Sequence, residues 1–331
     1  MKDAGTERGS SHQRALIIKA KGGLGNRMLS AVTGLVLADL NNRTGYIDWR
    51  DGMYLAPGEN LYPYLFDAAW MDDLESWDGE VDVVPRVWSG RLTDQPVDII
   101  RRHFPNQHQN PFLYRKLSID LVRADPDARV GVFWSYLPKL QRLKGRLSRD
   151  LRFAGKSIEA ISREYLARYF RPVPEVVERI DAVFAQLQKP VIGVHIRFTD
   201  RKVPLGKIIG NLERLSRMMP EATIFLATDS EIAQNTILRK FANVVTIEKA
   251  LAKDGAALHF STDSFADPVE EARNALADMM ALARCDWLLH SRHSTFSVTA
   301  ALLGNIPAQR QVDIARLDPV VRTKQFFQAR V

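Results

Sequence analysis

The sequence predicts an α/β protein built from two Rossmann-like halves that face a cleft. Three observations carry that expectation. The chain has 331 residues, beyond the length at which one hydrophobic core stops growing, so two domains are expected. Short apolar, β-branched runs alternate with helical patterns, as they do in βαβ units of a parallel sheet. Pro172 and Pro174 separate two helical patterns and mark the join near Arg171 to Pro174.

The first stretch, MKDAGTERGSSHQR, is polar and has no apolar core of a secretory signal, so residues 1–14 are expected to form a disordered tail. Ala15 to Ala20 reads as a strand. KGGLGNR follows, then a helix with apolar spacing at Leu29, Val32, Val36 and Leu40. Gly45 to Trp49 reads as the next strand. From Asp51 to Phe104 the period is lost among Pro57, Pro63, Pro85 and Pro96, and Val130 to Trp134 restores a strand. The second half is more regular. Helices are expected over Ser157 to Phe170 and Pro174 to Gln188, then a strand Val191 to Ile196 and a helix over Lys207 to Met219. Strands Thr223 to Thr228, Asn243 to Ile247 and Asp286 to His290 follow, with helices after Asp229, over Pro268 to Arg284 and from near Phe296. The expected domains are 15–172 and 173–331, the last twenty or so residues packing back on the first.

Composition narrows the class. Hydrophobic residues at 46% and charged residues at 26% match an average folded domain and exclude fibrous or low-complexity chains. Cys285 stands alone, which excludes an internal disulfide and a cysteine-based metal site. The most apolar later run, Ala275 to Leu289, is broken by Asp278, Arg284 and Asp286, so no membrane span is expected and the protein is read as cytoplasmic. The net charge of +7 is concentrated: residues 86–156 hold 15 Lys or Arg against 6 Asp or Glu. No zinc-finger spacing, aromatic RNA-binding signature or helix-turn-helix accompanies this basic region, so nucleic acid is not expected as a partner. A solvated basic face, or contact with an anionic glycan or a membrane surface, remains open.

Three stretches carry chemistry. In GGLGNR, Gly22, Gly23 and Gly25 sit between a strand and a helix, where backbone N–H groups can face an anion. Met28 stands where a dinucleotide fingerprint needs its third glycine, which argues against a nicotinamide enzyme. Asn26 adds a side chain able to donate and accept. In VIGVHIRFTD, a buried-looking strand delivers His195 and Arg197 to the carboxyl end, where open α/β sheets bind ligands, with Asp200 close behind. An arginine there suits phosphate oxygens. In SRHSTFSVTAALLG, Ser294, Thr295 and Ser297 lie at a helix start, as caps or as a phosphate cradle. Asp229 ends FLATD, and Asp278 lies inside an apolar helix, where a buried carboxylate needs a donor partner.

These stretches, in this order, resemble the α-1,6-fucosyltransferase family, whose branches are the eukaryotic core fucosyltransferases and the rhizobial nodulation fucosyltransferases. RPVPEVVERIDAVFAQLQKPVIGVHIRFTDRK is similar to the donor-side motif of the eukaryotic branch, and FLATDSE and ALADMMALARCDWLL to its later motifs. RTGYIDWRDGMY and ALADMMALARC resemble the bacterial branch, and GGLGNRMLS the N-terminal turn of plant cell-wall fucosyltransferases. The likeness covers roughly Leu16 to Tyr54 and Tyr165 to Gly304.

The resemblance implies a GT-B glycosyltransferase with GDP-fucose held mainly by the C-terminal domain and an oligosaccharide or lipid-linked acceptor by the N-terminal one. It implies inverting transfer to a GlcNAc-type acceptor, α-1,6 in linkage, without a metal or other cofactor. On this reading Arg197 contacts the β-phosphate, His195 and Asp278 serve the guanosine, Ser294, Thr295 and Ser297 the pyrophosphate, and Asp229 is a further GDP-fucose-binding residue. Gly23, Gly25 and Asn26 close the donor from the other domain. One departure stands out: Leu205 occupies the position of the eukaryotic candidate base, leaving Asp200, Asp48 and Asp51 to be weighed. An α-1,2-fucosyltransferase, another GDP-sugar transferase, or a non-catalytic nucleotide- or glycan-binding protein of the same fold are the alternatives.

Overall fold

The computed structural model describes residues 13–107, 110, 112–198, 204–252 and 267–316, with 319 and 323. The chain forms two all-parallel sheets. The first contains β1 (Ala15–Lys19), β2 (Thr44–Asp48), β3 (Val83–Val84) and β4 (Val130–Trp134) in the order β2-β1-β4-β3. The second contains β5 (Val191–Ile196), β6 (Thr223–Thr228), β7 (Val244–Val245), β8 (Trp287–His290) and β9 (Gln311–Asp313) in the order β7-β6-β5-β8-β9.

Every residue of β1 and β4 is buried, which explains why both read as unbroken apolar runs rather than alternating ones. Between β1 and β2 runs α1 (Leu24–Leu40). It packs closely because Gly34 faces Ile18: an added Cβ would lie 2.8 Å from the Ile18 side chain. The region without a period holds short α2 (Tyr62–Leu65) and α3 (Pro96–His103), and α4 (Tyr114–Leu117) and α5 (Lys144–Leu147) lie before and after β4. Its order comes from aromatic packing instead, Trp49, Tyr62, Phe66 and Phe170 meeting edge to face.

The linking helices are α6 (Ile158–Tyr169), α7 (Pro174–Phe184), α8 (Leu205–Met218), α9 (Glu231–Lys240), α10 (Pro268–Ala283) and α11 (Thr295–Leu303). Ser157 caps α6 and Ser230 caps α9 by accepting a backbone N–H, and Asp267 accepts two at the start of α10. α11 lies against α1, α6 and α10, so one hydrophobic core runs from the first sheet to the inner face of the second. A smaller core under α8 and α9 covers the other face of the second sheet. No helix among the described residues is long and apolar enough to cross a membrane.

Much of the basic region is tied into this fold. Arg146 donates to the Asn41 side chain and to the carbonyls of Leu40 and Leu121. Lys139 is 3% exposed over the Tyr114 ring, and burial pushes its ammonium down to about 8. Arg129, Arg152 and Lys156 pair with Glu80, Asp150 and Glu164 at the surface. Part of the excess positive charge therefore serves the end of α1 and acidic neighbours, while Arg101, Arg123, Lys144 and Arg149 are exposed.

Candidate active site

Parallel strands all end on the same edge of their sheet, so the residues that follow them gather there. In the second sheet this edge and the start of α1 enclose a pocket lined by Gly23, Tyr54, Arg197, Asp229, Lys249 and Asp278, with His195 and Phe296 on its wall. His195 closes β5 and stacks on Phe296, ring centroids 5.0 Å apart and planes 19° from parallel. Burial, with the nearby His290 and the Arg197 and Lys249 charges, pushes the His195 imidazole down to about 3, so it is neutral at physiological pH. Arg197 follows two residues later, just past the end of β5, and is partly exposed to the pocket. Asp229 accepts the Phe198 N–H at 2.8 Å and so fixes the backbone immediately after Arg197.

Two helix N-termini converge beside these groups. α1 starts after Gly23, and α11 starts after Ser294. Their first-turn N–H groups lack intrahelical acceptors and their dipoles place partial positive charge at the same spot. Gly25 makes the approach feasible. A Cβ there would lie 2.5 Å from the Phe296 nitrogen and the Thr295 carbonyl carbon, so only glycine lets the two turns meet. Gly23 differs: a Cβ would meet nothing within 4 Å, because that side faces the open pocket. Asn26 lies in the first turn of α1 with Oδ1 buried and without a partner.

The hydroxyl run divides in the same way. Ser294 precedes α11 with its Oγ buried and unpartnered, and makes no capping bond. Thr295 is half-buried against Gly25. Ser297 is fully buried and turned inward, 3.1 Å from His290 Nδ1 and 3.3 Å from the carbonyls of Ser291 and Ser294; Gly25, Asn26, Ser294 and Thr295 likewise lie behind the pocket lining, which Gly23 and Phe296 form at the two helix starts. Asp278 is 2% exposed on α10 and borders the pocket, and it has the donor partner that a buried carboxylate needs. Its Oδ2 accepts from Lys249 Nζ, while Oδ1 is buried without a partner. Burial lowers the Lys249 ammonium to about 8, against the opposing negative charges of Asp229 and Glu271.

Lys249, Tyr54 and Glu271 were not legible as pocket residues. Lys249 has the same signal as Arg197, a position just past a parallel strand, but its strand β7 is two residues long. Tyr54 reaches the pocket because its ring lies 5.5 Å from the buried Arg27 guanidinium, which donates to Gly22 O and pairs with Asp51. Of the weighed bases, Asp48 is excluded: its side chain is inaccessible, bound to Lys19 at 2.6 Å and to Arg50 at 3.0 Å, and these cations hold its carboxyl below the usual range. Leu205 begins α8 and packs on the smaller core, which suits its apolar side chain. Asp200 lies outside the described residues. Among the described residues no group of three or more His, Cys, Asp or Glu is placed to hold a metal ion.

The family model of nodulation protein Z (NodZ) matches residues 156–323. A nodulation protein Z of Bradyrhizobium diazoefficiens is 28% identical over 306 residues, covering 85% of this chain and 76% of that protein. One of Azorhizobium caulinodans is 24% identical over 323 residues, covering 88% and 89%. A crystal structure of NodZ α-1,6-fucosyltransferase soaked with GDP-fucose matches with a TM-score of 0.62 at 22% identity, over 89% of this chain and 93% of that one. The fold is thus the GT-B arrangement of two Rossmann-like sheets.

Proposed function

The chain belongs to the nodulation protein Z family, and on that premise we propose that it is a GDP-fucose-dependent fucosyltransferase acting on a GlcNAc-type oligosaccharide. The observation that carries this reading is one pocket that joins a phosphate end to a base end. Arg197 and the N-termini of α1 and α11 form the first, and the buried Asp278 carboxylate forms the second. Residues 173–331 are proposed to bind the donor and residues 15–172 the acceptor.

In the proposed reaction the acceptor hydroxyl oxygen attacks the anomeric carbon of fucose from the face opposite GDP. The bond from that carbon to the β-phosphate oxygen breaks, GDP keeps the electron pair, and the configuration inverts. Arg197 stabilises the charge that grows on the leaving phosphate. Ser294, Thr295, Gly23, Gly25 and Asn26 complete the phosphate end, and neutral His195 packs beside it. Fixed cationic and backbone donors can do here what a divalent ion does elsewhere, so the transfer is proposed to need no metal. Asp200 is proposed to take the acceptor proton, since Asp48 is sealed in the fold and Asp51 is held by Arg27. The linkage formed is proposed to be α-1,6.

The test is transfer from GDP-fucose to a GlcNAc oligosaccharide in EDTA, followed by product mass and linkage analysis. Arg197→Ala is expected to lower kcat about 100- to 1,000-fold, the loss typical of one transition-state donor, while the fold is retained. Equal turnover by the variant, or no fucosylated product from the unmodified protein, would overturn the reading.

A further inference from the structure

Tyr136 is a large aromatic side chain that the fold leaves 47% exposed and yet holds in place. Scattered apolar residues are ordinary on a protein surface, but three features set this one apart. It follows β4 at the carboxyl edge of the first sheet, and the pairing of Lys19 with Trp134 puts it beside the turn after β1. Its ring covers that turn: Gly22 has φ +89°, and a Cβ there would lie 2.7 Å from Tyr136 Cε2, so the ring rests on bare backbone. The loop that carries it is tied to α1. Ser30 Oγ donates to the Ser135 carbonyl at 2.7 Å, Ser135 Oγ to the Leu137 carbonyl at 2.6 Å, and the Lys139 N–H to Thr33 Oγ1 at 3.1 Å. Gly23 and Leu24, the next two residues after Gly22, line the candidate donor pocket, so the covered turn runs directly into that pocket.

An aromatic ring already ordered in the free protein loses little freedom when a ligand lands on it, the condition that favours tyrosine in binding surfaces. It offers an apolar, electron-rich face with a hydroxyl at the rim. A pyranose with equatorial substituents has the complementary shape. Its axial C–H groups make a flat apolar face, and its hydroxyl and acetamido groups lie around the rim. We propose that Tyr136 is an acceptor-binding residue whose ring forms the platform for such a pyranose, a GlcNAc unit of the acceptor, beside the donor pocket. This rests on the reading of that pocket as the GDP-fucose site and adds to it a contact for the second substrate.

The experiment compares the full chain with Tyr136→Phe and Tyr136→Leu, which both keep bulk over Gly22 and differ in whether a ring is present. A β-1,4-linked GlcNAc tetramer is titrated calorimetrically with GDP saturating, GDP is titrated alone, and the KM for the tetramer is measured in transfer from GDP-fucose. Tyr136→Leu is expected to weaken tetramer binding and raise its KM about tenfold, the loss of one aromatic contact, with GDP affinity and melting temperature near the parent. Tyr136→Phe keeps the ring and is expected to retain most of the tetramer affinity. Should Tyr136→Leu fail to fold, saturation-transfer NMR on the unmodified protein replaces it: irradiation of the aromatic protons is expected to reach the axial ring protons of GlcNAc well before the acetamido methyl. Unchanged tetramer affinity in Tyr136→Leu, an equal fall for GDP and tetramer, or equal transfer to all sugar protons would overturn the inference alone. So would a lack of tetramer binding by unmodified protein that binds GDP. Failure of the unmodified protein to bind GDP would overturn the donor-site reading beneath it.

Discussion

Replacing Gly25 by alanine tests how the two sheets are held against each other. The added Cβ would lie 2.5 Å from both the Phe296 nitrogen and the Thr295 carbonyl carbon, and 2.7 Å from the Thr295 oxygen. These are backbone atoms at the start of α11, so no side chain can rotate away. Restoring ordinary contact requires the N-termini of α1 and α11 to separate by roughly 1 Å, and overpacking of this kind costs about 1–3 kcal/mol. The melting temperature should fall by roughly 2–4 °C for each kcal/mol lost. Donor affinity should fall too, because both sets of N–H groups are displaced. Gly23→Ala is the matched control: its Cβ meets nothing within 4 Å, so it should melt near the parent and affect only ligand binding. Thermal unfolding and GDP titration of both variants provide the assay. A Gly25→Ala protein as stable as the parent, with unchanged GDP affinity, would refute the argument that the close crossing of α1 and α11 shapes the pocket.

Further outcomes follow from the buried polar groups. Ser297→Ala removes a hydroxyl that serves His290 and two carbonyls, and should cost about 1–2 kcal/mol in chemical unfolding while leaving GDP affinity within about twofold. Burial lowers His290 to about 4 and His195 to about 3, so the unfolded chain binds protons that the folded chain refuses once pH drops below the ordinary histidine range. Stability should therefore decline from pH 6.5 toward pH 4, by about 1.4 kcal/mol per pH unit for each histidine. His290→Asn should remove about half of that slope in unfolding titrations, and an unchanged slope would contradict the neutral assignment. Cys285, whose thiol burial pushes up, should resist alkylation until the protein unfolds.

What could be read from sequence followed where the local signal and the tertiary context agree. Val130–Trp134 and Thr223–Thr228 are apolar runs buried on both faces, and their limits match the expected ones. β3, a two-residue strand inside the proline-rich stretch, and β9 leave too short a pattern to recognise. The helix expected from Pro174 to Gln188 ends at Phe184. The topological rule depends only on strand direction, and it leads His195 and Arg197 to the edge where they line the pocket. Ser297 shows the limit of that reasoning. Its position in the first turn of α11 is visible, but its direction is set by His290, seven residues earlier in the chain. Lys249 was hidden because its ion-pair partner, Asp278, lies 29 residues later on α10.

The pocket between α1 and the second sheet is proposed to be a metal-free site for GDP-fucose. The decisive experiment is calorimetric titration of the unmodified protein with GDP-fucose, GDP, UDP and NAD in EDTA. Binding of GDP-fucose and GDP is expected, with UDP and NAD far weaker. Preferred binding of UDP or NAD, or GDP binding that appears only with a divalent cation, would contradict it.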